Sequence, residues 1–123
     1  MIKVAIIGLG IMGRRMLQHM RIHEKFAPNY LWDPDKTACQ KAIEIDSEAK
    51  IMNNPEEAID AADLVYLACP PQVRESHALQ SAQKGKALFL EKPLGIDIDH
   101  SKSLINKLKG FNVPLAVNFT QAA

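Results

Sequence analysis

The 123-residue sequence holds only two cysteines, Cys39 and Cys69, too few to staple a small secreted fold. They suit a reducing compartment, and the expected location is the cytoplasm. An excess of one charge is missing too. Fifteen Lys+Arg against fourteen Asp+Glu leave a net charge of +1, which offers no basic surface for nucleic acid or anionic lipid. No apolar run approaches the roughly 20 residues that a membrane span needs. Val4 to Met12 is apolar and follows Lys3, but Gly8 and Gly10 interrupt it and Gly13-Arg14-Arg15 close it. That pattern excludes a secretory leader. Internal repeats, low-complexity tracts and linkers are absent as well. With 47% hydrophobic and 24% charged residues, disorder and collagen-like repeats are excluded, and one soluble domain remains.

Apolar runs alternate with helical stretches along the whole chain. Ile2 to Ile7 is short, β-branched and nearly continuous, the pattern of a parallel strand covered on both faces. Met12, Met16 and Met20 recur at helical spacing beside Leu17 and are expected to pack into the core. Pro28 to Asp33 reads as a second strand, and Pro34-Asp35 opens a helix to about Glu44. Lys50 to Met52 is a short third strand, and Asn54-Pro55-Glu56-Glu57 is a helix start. Asp63 to Cys69 is a fourth strand, and Pro70-Pro71 opens a helix to about Lys84 that Gly85 caps. Lys86 to Glu91, a helix from about Asp97 to Lys109, and a strand from Val113 to Phe119 complete the series. Six strands alternating with helices predict an α/β, Rossmann-type doubly wound sheet, mostly parallel, with helices on both faces.

Gly8-Leu9-Gly10-Ile11-Met12-Gly13 fits G-x-G-x-x-G, placed directly after a strand and opening a helix. Gly8 permits a tight turn, Gly10 lets the backbone approach a pyrophosphate, and Gly13 lets the helix sit close to the sheet. The open N–H groups and dipole of the helix N-terminus then face the diphosphate. Asp33 stands twenty residues past Gly13, where a carboxylate can accept hydrogen bonds from a ribose hydroxyl pair. A carboxylate there repels a 2′-phosphate and favours NAD. Arg14, Arg15 and Lys36 are near enough in sequence to reach such a phosphate, which leaves NADP open.

Glu91-Lys92-Pro93-Leu94 follows the fifth strand, and strand carboxyl ends border the crevice that holds ligands in such sheets. A lysine there can donate to a substrate oxygen and to the nicotinamide ribose. With the glycine turn, Asp33, Pro70-Pro71, His77, Gly85-Lys86 and Val117-Asn118-Phe119, this motif makes the chain resemble one family over nearly its whole length. That family is the glucose–fructose oxidoreductase / inositol dehydrogenase (Gfo/Idh/MocA) family, here its nucleotide-binding half. The resemblance implies NAD(P)-linked oxidation of a sugar, cyclitol or related alcohol, or the reverse carbonyl reduction. It gives Lys92 the catalytic role in positioning and proton transfer. Glu91 and Pro93 then shape the nicotinamide end, and Pro70-Pro71 line the crevice.

The family continues past its sixth strand into a β-rich domain that carries the substrate pocket and most of the oligomer contact. Residues 1–119 are therefore expected to form the nucleotide-binding domain and 120–123 to begin the connection. These residues alone are expected to bind cofactor without turnover. Among the remaining candidates, Cys69 borders the crevice as a buried, inert thiol. His19 and His23 are four apart, but no Cys, Asp or Glu set completes a metal site, and both are expected to face solvent. His77 is expected to pack rather than catalyse. Trp32 and Tyr66 should fill the sheet faces. Two alternatives stay open: a β-hydroxyacid dehydrogenase, which lacks the Glu-Lys-Pro run, and a module that senses NAD(H) without chemistry.

Overall fold

The computed structural model describes residues 1–91 and 98–117. Its elements are β1 (Ile2–Ile7), α1 (Ile11–Arg21), β2 (Phe26–Trp32), α2 (Lys36–Ile45), β3 (Lys50–Ile51), α3 (Pro55–Ala61), β4 (Leu64–Leu67), α4 (Pro71–Gln83), β5 (Ala87–Leu90), α5 (Ile98–Lys109) and β6 (Leu115–Val117). The strands form one sheet in the order β3-β2-β1-β4-β5-β6, and every adjacent pair is parallel. The chain winds outward from β1 to β3, then crosses back to β4 and winds the other way. This is the doubly wound Rossmann-type sheet expected from the alternation.

Each central strand feeds two cores, which is why it reads as a continuous apolar run. Val4 and Ile6 of β1 join Leu17 and Met20 of α1, Ala38 and Ala42 of α2, and Tyr66 of β4. Ala5 and Ile7 point the other way, with Ala58 and Ile59 of α3, Ala78 of α4 and Leu104 of α5. Helix starts follow local chemistry. Asn54 accepts the Glu57 N–H at 2.8 Å ahead of Pro55, and Asp35 accepts the Thr37 N–H at 2.9 Å. At the amino end of the sheet, Arg21 of α1 reaches Asp46 after α2 at 2.5 Å and Asn29 of β2 at 2.8 Å.

Three expectations are corrected. β2 starts at Phe26 and not at Pro28, and it ends at Trp32, leaving Asp33 just outside. Pro28 is tolerated because the β1–β2 register slips between Lys3↔Ala27 and Ala5↔Tyr30, and a proline without an N–H fits such an irregularity. β4 ends at Leu67 and β3 at Ile51, short of Cys69 and Met52. The methionine stripe is only partly core. Gly13, Leu17 and Met20 form the buried face of α1, whereas Met12 is 39% exposed. Met12 sits in the first turn of the helix, beside the mouth of the turn that feeds it. The end of the expected sixth strand, residues 118 and 119, lies outside the described residues. Among the described residues, no helix is long and apolar enough to cross a membrane.

Candidate functional site

Sheet register brings the candidate residues to one edge. Trp32, Ile7, Leu67 and Leu90 form one row across β2, β1, β4 and β5. The residues just beyond that row are Asp33, Gly8, Ala68 with Cys69, and Glu91. All follow the carboxyl ends of parallel strands and flank the point where the winding reverses, between β1 and β4.

The glycine turn is built from two tight positions and one open one. Gly8 has φ +100°, and a Cβ there would lie 2.5 Å from the Cys69 nitrogen. A Cβ on Gly13 would lie 1.9 Å from the Gly8 carbonyl oxygen, so α1 packs directly on the turn. Apart from its own chain neighbours, no described residue brings an atom within 4 Å of where a Gly10 Cβ would stand. It is the N-cap of α1, it supplies no side-chain cap, and the first turn carries no acidic residue. The free N–H groups of the helix start thus open onto vacant space beside Gly10, the arrangement that receives an anion.

Asp33 holds the other wall. Its Oδ2 accepts the Leu9 N–H at 2.6 Å and its Oδ1 accepts the Asp35 N–H at 2.7 Å. The carboxylate therefore ties the end of β2 to the glycine turn. Each oxygen has a second lone pair, so a ribose hydroxyl pair can still be accepted. Arg14 braces the same turn, donating from Nη1 to the Leu9 carbonyl at 2.8 Å. Sequence reasoning placed Arg14 as a candidate for a 2′-phosphate and did not single out Leu9 at all.

Across the switch point the side chains point inward. Cys69 is buried, and burial pushes its thiol above the ordinary value while the Arg74 charge pulls it back. A neutral, inert thiol follows. Pro70 caps α4 and Pro71 is its first residue. The Glu91 carboxylate is buried and accepts the Tyr66 hydroxyl. Burial first, and Glu91 second, push the Tyr66 phenol well above its usual value, so it remains the donor. Arg74, at 2% exposure, donates 2.5 Å hydrogen bonds to the carbonyls of Cys69 and Glu91. Burial lowers its pKa from the ordinary guanidinium value, with Cys69, Glu91 and Tyr66 opposing. This buried group was missed. Its signal was the spacing Arg74, Ala78, Ser81, Ala82, which sets an arginine on the core stripe of α4. Lys92 and Pro93 lie outside the described residues.

Other candidates separate cleanly from this edge. His19 and His23 are exposed, and His23 lies beyond the end of α1. Among the described residues no group of three or more His, Cys, Asp or Glu side chains could hold a metal. His77 packs edge-on against Trp32 with ring centroids 6.3 Å apart, and among the described residues its Nδ1 has no hydrogen-bond partner. Burial pushes its imidazole below 6.5, with Glu56 opposing. The unfolded chain then takes up this proton first as pH falls, so His77 costs stability below about pH 6.5 and is neutral above it. The stability of the wild type relative to His77→Gln should therefore decline as pH drops through that range. Urea midpoints across pH 8 to about 5 would show it; a constant difference would refute it.

A family model described as "Oxidoreductase family, NAD-binding Rossmann fold" matches residues 2–119. An uncharacterised oxidoreductase of Streptococcus pneumoniae is 27% identical over 115 residues, covering 92% of this chain and 30% of that protein. The chain thus spans about a third of the length of this curated relative. Among solved structures, myo-inositol 2-dehydrogenase from Lactobacillus plantarum superposes with a TM-score of 0.82 at 24% identity, over 96% of this chain and 36% of that one. Biliverdin reductase from Synechocystis, in complex with biliverdin and NADP+, gives 0.83 at 22% identity, over 94% and 37%. These likenesses show the fold. With the glycine turn, the acid after β2 and the family match all on the same residues, the chain belongs to the oxidoreductase family that shares an NAD-binding Rossmann fold.

Proposed function

We propose that residues 1–119 bind a nicotinamide dinucleotide, NAD in preference to NADP, along the carboxyl edge of the sheet. The observation that carries this reading is the contrast among the glycines. Two are closed by neighbouring backbone, and the third faces vacant space at an uncapped helix start. That space fits a diphosphate, with α1 supplying N–H donors. Asp33 then takes the adenosine ribose on the β2 side. The nicotinamide half extends over Cys69, Pro70, Pro71 and Glu91, towards Lys92 and Pro93. Ile11 and Met12, both exposed beside the turn, line the approach.

When bound, the cofactor accepts or donates a hydride at its nicotinamide ring. The family resemblance supports Lys92 as the group that positions a substrate oxygen and exchanges its proton. A sugar, cyclitol or related alcohol is the substrate class this favours, in line with the inositol dehydrogenase neighbour. Residues 120–123 then lead towards a substrate domain, which the greater length of the relatives supports and which would carry the homo-oligomer contact. Two buried free cysteines support a reducing, cytoplasmic setting.

The test is a calorimetric titration of the chain with NADH and NADPH. NADH should bind about tenfold more tightly, the size expected for a 2′-phosphate set against one partly desolvated carboxylate. Tighter NADPH binding would overturn the reading of Asp33, and binding of neither would overturn the site.

A further inference from the structure

We propose that Arg74 is the positioning residue of the nicotinamide half of the crevice, its guanidinium bridging the Cys69 and Glu91 carbonyls to set the spacing between the ends of β4 and β5. The inference rests on the dinucleotide reading above and adds a residue that the sequence motifs do not mark.

An arginine is an expensive occupant for this place. The rest of the buried stripe on α4 is Ala78, Ser81 and Ala82, and an aliphatic side chain would fill the position without burying a charge. Arg74 is nevertheless 2% exposed, and among the described residues its Nε has no partner, so the hydrogen bonding is not complete as pure stabilisation would require. What the side chain does accomplish is local. The β4–β5 ladder runs as far as the Glu91 N–H, which donates to the Leu67 carbonyl at 3.0 Å. At that point Arg74 Nη1 donates to the Glu91 carbonyl. Nη2 does the same for Cys69, past the end of β4. The planar fork thus fixes two strand ends relative to each other, a task one ammonium cannot perform as well.

The Glu91 carboxylate, held by Tyr66, sets a compensating charge nearby. The Glu91 carbonyl belongs to the peptide bond that joins Glu91 to Lys92. The crevice is then framed by two side-chain ties of opposite charge. Asp33 joins β2 to the glycine turn through N–H groups, and Arg74 joins β4 to β5 through carbonyls. The first lies under the adenosine half and the second under the nicotinamide half.

The experiment compares NADH with ADP-ribose, which lacks only the nicotinamide, on wild type, Arg74→Met and Arg74→Lys, with folding followed by amide NMR dispersion. Arg74→Met should weaken NADH by about tenfold and leave ADP-ribose within about twofold, since only the far half loses its preorganised edge. Arg74→Lys should fall between the two, because it keeps the charge but reaches one carbonyl. Equal weakening of both ligands would reduce Arg74 to a general support and overturn the inference, as would unchanged NADH binding. If Arg74→Met does not fold, Arg74→Lys is read by the same ratio; if neither folds, the inference fails. A wild-type chain that binds neither ligand would instead overturn the dinucleotide reading, and this inference with it.

Discussion

Gly13→Ala is expected to destabilise the chain by about 2 kcal/mol or more, even though alanine is the better helix former. Intrinsic propensity favours Ala over Gly inside a helix by about 1 kcal/mol. Packing opposes it, because the new Cβ would stand 1.9 Å from the Gly8 carbonyl oxygen and 2.9 Å from its carbon. Neither atom belongs to a flexible side chain. Gly8 is held in turn by its N–H bond to the Trp32 carbonyl at 2.9 Å and by close contact with the β4 end. Relief therefore requires α1 to lift off the sheet, which exposes the contacts of Leu17 and Met20. Overpacking of this kind costs about 3 kcal/mol and outweighs the propensity gain. Urea denaturation would measure it; a raised midpoint would mean that α1 does not sit on the turn as described.

Gly10→Ala separates the two uses of the glycines. Its φ of −70° suits any residue, and apart from its chain neighbours no described residue brings an atom within 4 Å of the added methyl. Stability should fall by at most about 1 kcal/mol, the difference between Gly and Ala at an N-cap. Nucleotide affinity should nonetheless fall by about a hundredfold, because the methyl enters the space through which a diphosphate approaches the backbone. Unchanged NADH binding in this variant would remove the main support for the proposed site.

Sequence alone made the frame of this molecule readable because its strands are covered on both sides. Val4 to Ile7 reads as strand since alternate residues enter different cores and none of the four needs to be polar. Asn54 and Pro55 announce α3 because capping is a local event. The misreadings arose where distant partners decide. A slip in the β1 register admits Pro28 to β2, and nothing near Pro28 encodes that slip. Met12 falls on the periodicity of Met16 and Met20 but sits at the mouth of the turn, where α1 begins. G-x-G-x-x-G, by contrast, gave its three glycines different tasks, and their surroundings differ accordingly: neighbouring backbone crowds Gly8 and Gly13, while the space beside Gly10 is open. Tyr66 meets Glu91 across 25 positions, and Arg74 meets Glu91 across 17, so helical spacing can place Arg74 on the buried face of α4 but cannot name the partners of the network at the β5 end.

Asp33→Asn tests the point at which fold and site meet. A residue that only reads a ribose could be replaced at no cost to the free protein. Here both carboxylate oxygens already accept main-chain donors, Leu9 at 2.6 Å and Asp35 at 2.7 Å. Asparagine keeps the shape but offers one acceptor oxygen, and its NH2 group would face whichever N–H lost its partner. One unsatisfied, partly buried donor costs about 1–2 kcal/mol, so the urea midpoint should fall measurably. NADH affinity should fall by a larger margin, about 10- to 100-fold, since charge-assisted hydrogen bonds to the ribose are lost and the turn loses its tether. NADPH affinity should fall less, because removal of the carboxylate also removes the repulsion of a 2′-phosphate. The ratio of the two affinities therefore shifts towards NADPH while stability declines. Loss of stability with an unchanged ratio would make Asp33 a brace for the turn and nothing more. A shifted ratio at constant stability would mean that the Leu9 and Asp35 contacts contribute nothing to the free protein. Only the two changes together fit a carboxylate that builds the turn and reads the sugar from the same two oxygens.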